Sequence, residues 1–268
     1  DAAGNNVDPT LPVGNNLADN SALVVDGVYP TIESISSTTV DGEYGFGESI
    51  NLTLTFSEAL TLAGGNLLVT LETGTTDRQV TISTISNSTT ATGVYTIQSG
   101  DASSDLAVSA ISLSAGTLAD AAANSLDMTL PTGVSTLAGS SALTVDGTVP
   151  EDFTVGSVTP TVGVVTAGYW NASNTGLAIV VPIDNDGSLQ TGGLQIRART
   201  GSSAFENFGA LQTISSIGVN KSTSFTATQV EAISGFGEGA VIEFTAIITD
   251  SVGNATTGTS SATTLTVD

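Results

Sequence analysis

The sequence predicts an all-β chain: two β-sandwich modules in tandem, preceded by a strand-bearing leader. Three observations predict it. Short runs with period-2 alternation fill the chain, as in Ile50–Phe56, where Ile, Leu, Leu and Phe alternate with Asn, Thr and Thr. Gly, Asn, Asp and Pro turn signals separate these runs, and no helical periodicity competes with them. One phrase also recurs: ALVVDGVYP at 22–30, ALTVDGTVP at 142–150 and a truncated TLTVD at 264–268. Each copy reads as a strand, and the two longer copies run out into an acidic, proline-stopped connector.

The recurrence divides the 268 residues into a leader (1–27), module one (28–147) and module two (148–268). The leader aligns with the end of module one: Asp1 with Asp120, Leu11 with Leu130, Leu17 with Leu137, Asp26 with Asp146. Such self-similarity marks an array of repeats. The leader is therefore expected to be the last loop and last strand of a preceding repeat.

In module one, Thr31–Ser36 reads as the first strand and 41–47 as a glycine-punctuated turn. Strand 50–56 follows, then a loop at 57–66. Further β-branched runs predict strands at 67–72, 79–85, 93–98, 106–113 and 142–146. In module two the expected strands are 153–159, 176–182, 194–200, 222–229, 241–249 and 260–267, with one helical turn at 229–235. Equivalent loops recur, including Asp120–Asn124 and Asp250–Asn254, each just before a last strand.

Composition bounds the function. The chain carries 26 acidic and four basic residues, a net charge of −22. It lacks the basic footprint that nucleic acid or an anionic membrane requires. Clustered carboxylates disfavour the compact state unless cations screen or bind them. With no Cys and no His, disulfides, thiolate metal sites, imidazole ligands and the commonest general base are all excluded. No apolar stretch is long enough to span a bilayer as a helix. Hard oxygen chemistry is what remains.

Several phrases resemble the immunoglobulin-like tandem repeats of giant bacterial surface adhesins of the RTX and Bap type. They are INLTLTFSEAL (50–60), LETGTTDRQV (71–80), YTIQSGD (95–101), DAAGN (1–5) and TVDGTVP (144–150). GYWNASNTGL (168–177) and GFGEGAVIEFTAIITDSVGNATTGTSSATTLTVD (235–268) resemble a second repeat type of the same proteins. The resemblance covers nearly the whole chain. It implies extracellular immunoglobulin-like tandems on a bacterial surface, exported by a secretion system, with Ca²⁺ often at the joints. One departure stands out: DAAGN becomes DAAAN in module one, so that turn loses its permissive Gly at position 123.

Greek-key topology brings three segments of module two to one pole: the connector, the 184–187 loop and the 250–254 loop. Together they offer Asp146, Glu151, Asp152, Asp184, Asn185, Asp186, Asp250 and Asn254. Ca²⁺ takes six to eight oxygens in a forgiving geometry, and this pole supplies such a set. Module one offers a thinner version: Asp26, Glu58 and Asp120, with Asn124. An ion bridging the connector to these loops would freeze an otherwise bendable joint. The competing reading makes these acids solvated turn formers.

Other features carry less. Asp184-Asn-Asp-Gly opens like an EF-hand loop, but Gln195 stands where the bidentate Glu is required and no helices flank it. Tyr169-Trp170 suggests either a sugar platform or core packing. Five N-x-S/T sequons, at Asn51, Asn87, Asn171, Asn220 and Asn254, are explained by composition. Lys221 as an isopeptide donor competes with an ordinary exposed lysine. Gly235–Gly239 neither follows a strand nor opens a helix, so it is no phosphate loop. No nucleophile–base pair suggests an enzyme.

The expected function is a structural extender of a bacterial surface adhesin, rigidified by Ca²⁺, with neighbouring repeats as its partners. The alternatives are a filament, sheath or surface-layer subunit, polymerising through strand donation by residues 1–27, and a carbohydrate-binding module.

Overall fold

The computed structural model describes residues 2–268. Asp1, aligned above with Asp120, lies outside the described residues. Two immunoglobulin-like β-sandwiches follow one another, each around its own apolar core.

Within the leader, α1 spans Leu17–Asn20. Module one contains β1 (Ile32–Ser36), β2 (Gly42–Gly45), β3 (Ser49–Ala63), β4 (Leu67–Glu72), β5 (Arg78–Ile82), β6 (Ser88–Thr96), β7 (Ala102–Ser103), β8 (Ala107–Leu113), β9 (Thr117–Ala119), α2 (Leu137–Ser140) and β10 (Leu143–Asp146). One sheet runs β1-β3-β6, with β9 on the far end of β3; another runs β5-β4-β8. The last strand, β10, pairs parallel with β2 and antiparallel with β7. Alternation on β3 sends Ile50, Leu52, Leu54 and Phe56 inward to meet Leu67, Val69 and Leu71 of β4.

Module two contains β11 (Val158–Pro160), β12 (Tyr169–Trp170), β13 (Gly176–Pro182), β14 (Gly193–Thr200), β15 (Glu206–Asn207), β16 (Gln212–Thr213), β17 (Asn220–Thr226), α3 (Ala227–Glu231), β18 (Val241–Thr249), β19 (Ala255–Thr257) and β20 (Leu265–Val267). The sheets run β11-β13-β17 and β12-β20-β18-β14-β15. Here too the last strand pairs parallel with an early one, β20 with β12. Trp170 on β12 is buried in the core.

Four expectations are corrected. The loop expected at 57–66 is mostly strand. β3 passes an irregularity between Thr55 and Leu60, then leaves β1 and β6 for β9, so its backbone stays paired as far as Ala63. The turn itself shrinks to Gly64-Gly65, both at positive φ; a Cβ on Gly65 would sit 2.3 Å from the Ala115 carbonyl oxygen. The turn expected at 41–47 contains β2, whose partner β10 lies far along the chain. The helical turn expected at 229–235 begins earlier. Thr226 caps it, with Gln229 completing a capping box.

The fourth correction concerns the leader. Its local structure copies module one faithfully. Asn16 caps α1 as Thr136 caps α2. Asp8 accepts from the Thr10 N–H at 2.9 Å, as Asp127 does from Thr129 at 2.9 Å. Yet the strand expected at 22–26 does not form. Leu143 and Val145 of β10 are buried between β2 and β7, whereas Leu23 and Val25 are 67% and 94% exposed. A strand needs a neighbouring backbone to bond, and among the described residues none lies beside 22–26.

Candidate functional site at the module joints

The connector between the modules is Asp146–Pro150. Module one holds its start. The Gly147 N–H donates to the Asp101 carbonyl at 2.7 Å, and the Gly147 carbonyl accepts from the Gly100 N–H at 3.0 Å. Asp101 is itself buried and tightly bonded. Its carboxylate accepts from the Arg78 Nε at 2.7 Å, the Tyr95 hydroxyl at 2.6 Å and the Gln98 N–H at 2.9 Å. Burial pushes the Tyr95 phenol well above its usual range, and the Asp101 carboxylate adds to the shift.

Module two holds the connector's other side through the 250–254 loop. The Asp250 Oδ1 accepts from the N–H groups of Val252 and Asn254 at 3.0 and 2.8 Å, closing the loop. The Asn254 Nδ2 donates to the Asp250 Oδ2 at 2.7 Å, the Asp146 carbonyl at 2.8 Å and the Thr148 carbonyl at 3.2 Å. The Asn254 Oδ1 accepts from the Phe46 N–H of module one at 2.7 Å. The Thr256 hydroxyl donates to the Pro150 carbonyl at 2.5 Å. Beside this contact, a Cβ on Gly45 would lie 2.9 Å from the Val252 carbonyl oxygen.

The front of module one repeats the arrangement. The Asp120 Oδ1 accepts from the N–H groups of Ala122 and Asn124, both at 2.8 Å. The Asn124 Nδ2 donates to the Asp120 Oδ2 at 2.9 Å and to the Asp26 carbonyl at 3.3 Å. Ala123 takes φ 68 here, where module two has Gly253. The loop therefore keeps the shape that its missing glycine would have eased.

The carboxylates distribute differently at the two joints. Among the described residues, Asp26, Glu58 and Asp120 form a group whose ligand atoms all lie within 4.8 Å of one another. Burial raises the Glu58 pKa above its usual value, and the charges of Asp120 and Asp26 raise it further. Desolvation also works to raise Asp120, but hydrogen bonds from Asn124, Ala122 and Ala123 outweigh it and hold that carboxyl low. Three carboxylates converging with at least one disfavouring its charge is donor chemistry that suits a hard cation.

At the second joint the eight expected residues separate. Asp146, Asp186, Asp250 and Asn254 gather near the connector. Burial raises the Asp146 pKa, the Thr148 N–H offsets part of this, and the charges of Asp250 and Asp186 raise it again. Glu151, Asp152 and Asp184 line a neighbouring cleft with Pro150, Phe153 and Pro182. Asn185 packs against the backbone at Gly218. The Asp186 Oδ1 accepts from the Ser188 N–H at 2.9 Å and caps a short 3₁₀ turn, so the EF-hand-like opening is a turn cap.

Asp101, Arg78 and Tyr95 form a cluster that no sequence motif marks. An Arg–Asp pair separated by 23 positions gives no local signal. Trp170 is only 1% exposed, which leaves it no face for a sugar to stack on. Lys221 donates to the Thr213 carbonyl at 3.2 Å.

No protein-family model and no curated protein matches the sequence. Solved structures resemble the fold distantly. Titin domains align over 85% of this chain and 62% of theirs, at 13% identity and a TM-score of 0.40. Escherichia coli alpha-2-macroglobulin aligns over 88% of this chain and 14% of its own, at 10% identity and a TM-score of 0.25. A DUF4785 family protein from Legionella pneumophila aligns over 83% of this chain and 53% of its own, at 9% identity and a TM-score of 0.24. The chain spans less than two thirds of each. At these scores the likeness carries no argument about function.

Proposed function

We propose that the chain is an extender segment of a bacterial surface adhesin, a stiff non-catalytic rod whose joints are braced by Ca²⁺. One observation carries the mechanical part: the Asp146–Pro150 connector is bonded to both modules along most of its length. A connector so held transmits orientation from one module to the next. The resemblance to adhesin repeats and the strong negative charge support the extracellular, bacterial assignment.

Ca²⁺ would bind first where carboxylates already converge, at Asp26, Glu58 and Asp120. Each carboxylate oxygen has two lone pairs, so the hydrogen bonds within the 120–124 loop leave capacity for an ion. Asp146 and Asp186, with Asp250, would form the second site. Bound Ca²⁺ stabilises the folded state by mass action, about 3–4 kcal/mol at 100–1,000 times the dissociation constant. Small-angle scattering and thermal melts of the full chain in Ca²⁺ and in chelator test this. Ca²⁺ should raise the melting temperature by several degrees and lengthen the particle, and Glu58→Gln should blunt the first effect. If neither quantity responds to Ca²⁺, the bracing role is wrong.

A filament subunit is the second reading, favoured by the exposed Leu23 and Val25 on an unpaired segment. Strand donation to another copy would cover them. Sedimentation velocity over a concentration series decides: ordered polymers support the filament, and a persistent monomer supports the extender.

A further inference from the structure

We infer that the outer edge of β6 in module one is a self-association surface, on which a second copy of the chain adds its own β6 antiparallel, about a two-fold axis through Val94. This goes beyond the extender reading and depends neither on it nor on calcium.

β6 ends its sheet: β3 pairs with one side of it, and among the described residues no strand pairs with the other. Hydrogen bonds fix which residues look outward. The Ile97 N–H donates to the Glu48 carbonyl at 2.9 Å and the Ile97 carbonyl accepts from the Gly47 N–H at 3.0 Å, so both groups of Ile97 serve the β3 side. Antiparallel pairing alternates, and the register with β3 is unbroken from Thr96 to Thr90. Ala91, Gly93 and Tyr95 therefore bond to β3, while Thr90, Thr92, Val94, Thr96 and Gln98 turn their backbone groups to the edge. The two ends of this row are already closed. The Ser88 Oγ accepts from the Thr90 N–H at 3.1 Å and donates to the Thr90 carbonyl at 2.8 Å. The Asp101 Oδ2 accepts from the Gln98 N–H at 2.9 Å. Thr92, Val94 and Thr96 stay open between them.

This open row is symmetric about Val94, so it complements itself. With Val94 opposite Val94 of the partner subunit, each Thr92 faces a Thr96, and every open N–H and carbonyl finds its counterpart. That is an isologous contact, closed at two copies. The sheet then runs β1-β3-β6-β6-β3-β1 through both. Charge favours a second copy as the occupant. The chain carries a net charge of −22, yet no residue from Gln79 to Gly100 is charged, so the seam sets no like charges against each other. Val94 is 58% exposed and gains a cross-strand valine. Natural edges are blunted by lysine, proline or a bulge, and Thr92–Thr96 has none of these. A groove of about 340 Å³ lined by Thr81, Ser83, Ser86, Ser88 and Thr90 leaves an incoming strand room beside the start of β6. One strand pair is a small contact, so the association is weak and transient.

Sedimentation velocity of the full chain in chelator, over a concentration series reaching the millimolar range, tests this. It should show a monomer–dimer equilibrium that stops at two copies, unlike a strand-donating filament. The dimer should strengthen with salt, because a neutral seam gains when the repulsion between acidic copies is screened. Val94→Lys should abolish it while leaving the circular dichroism spectrum unchanged, since the two ammonium groups meet only across the axis. The chain has no cysteine, so Val94→Cys reports the register. Cα atoms about 5.5 Å apart in a hydrogen-bonded pair lie within disulfide range. Under mild oxidation Val94→Cys should form a linked dimer on the order of tenfold faster than Val134→Cys, a more exposed position away from this edge. A monomer throughout would leave the edge to a foreign strand and overturn the proposal. So would a Val94→Lys chain that dimerises like the parent, or cysteines at 94 and 134 that link at equal rates.

Discussion

Asn254→Ala should loosen the joint and weaken module two at once, and the two effects can be read separately. Asn254 is 5% exposed; its two amide hydrogens are shared among the Asp250 carboxylate and the Asp146 and Thr148 carbonyls, and its oxygen accepts from Phe46. The bond to the Asp250 carboxylate lies inside module two and is charge-assisted, worth about 1.5–3 kcal/mol. The amide's other hydrogen, shared between the Asp146 and Thr148 carbonyls, and the bond from Phe46 cross to the connector or to module one, at about 0.5–1.5 kcal/mol each. Thr148 is exposed, so water re-satisfies some of the groups left behind. A net loss of about 3 kcal/mol follows, roughly half of it from module two's own stability.

The chain offers clean probes for each half. Trp170 is the sole tryptophan and lies in the core of module two, so its fluorescence follows that module alone. Its urea midpoint should fall by an amount equivalent to about 1.5 kcal/mol. The chain has no cysteine, so two introduced cysteines, one per module, carry spin labels without background. The distance distribution should broaden. Asn254→Asp should be worse than alanine for module two, because it faces the Asp250 carboxylate and two carbonyl oxygens with a negative charge. A tryptophan transition shifted by less than about 0.3 kcal/mol together with an unchanged distribution would refute the reasoning.

Three further outcomes are expected. Gly45→Ala should open the joint while sparing the fold of module one, since the new Cβ meets the Val252 carbonyl oxygen at 2.9 Å and a backbone atom cannot swing aside; a broadened spin-label distribution checks it, at a cost of about 1–3 kcal/mol. The folded pKa of Asp146 lies above its usual value, so its contribution is most favourable below the ordinary carboxylate range and is lost as pH rises through the elevated folded value. Asp146→Asn, melted in chelator from pH 4 to 8, should therefore gain stability over the parent towards neutral pH; an equal pH slope in both proteins would contradict this. Asp101→Ala should destabilise module one by about 3–5 kcal/mol, since it strands Arg78 and removes the acceptor of Tyr95 and Gln98, whereas Tyr95→Phe should cost about 1 kcal/mol, both read from circular dichroism melts.

How much of this was legible in the sequence depended on range. The alternating strands at 50–56, 67–72, 176–182 and 241–249 announce themselves because each carries its own period. The 120–124 and 250–254 loops are equally local, and their turn chemistry is written in five residues. β2 was missed because Gly42–Gly45 acquires strand character only through β10. The leader failed in the opposite direction, its apolar pattern promising a strand that no neighbour completes. The role of Asn254 was half visible. Its place at the joint followed from topology, whereas the donation of its amide nitrogen to the connector carbonyls depends on contacts more than 100 positions away and leaves no local sign.

That last distinction bears on how a joint of this kind works. An asparagine amide and a calcium ion both seek oxygen, so they compete for the same connector carbonyls. At the second joint Asn254 occupies one lone pair on each of the Asp146 and Thr148 carbonyls, so an ion there would have to share them and would rest mainly on carboxylates. At the first joint the Asn124 contact to the Asp26 carbonyl is longer, 3.3 against 2.8 Å, and three carboxylates converge beside it. The amide and the ion thus need not act at the same strength in every joint. Asn254 sets orientation through directional bonds that salt screens only weakly. A carboxylate cluster instead contributes a repulsion that a cation removes. On this division of roles, chelation should slacken the Asp26 front far more than the Asp146 joint, and the asparagine substitutions should do the reverse.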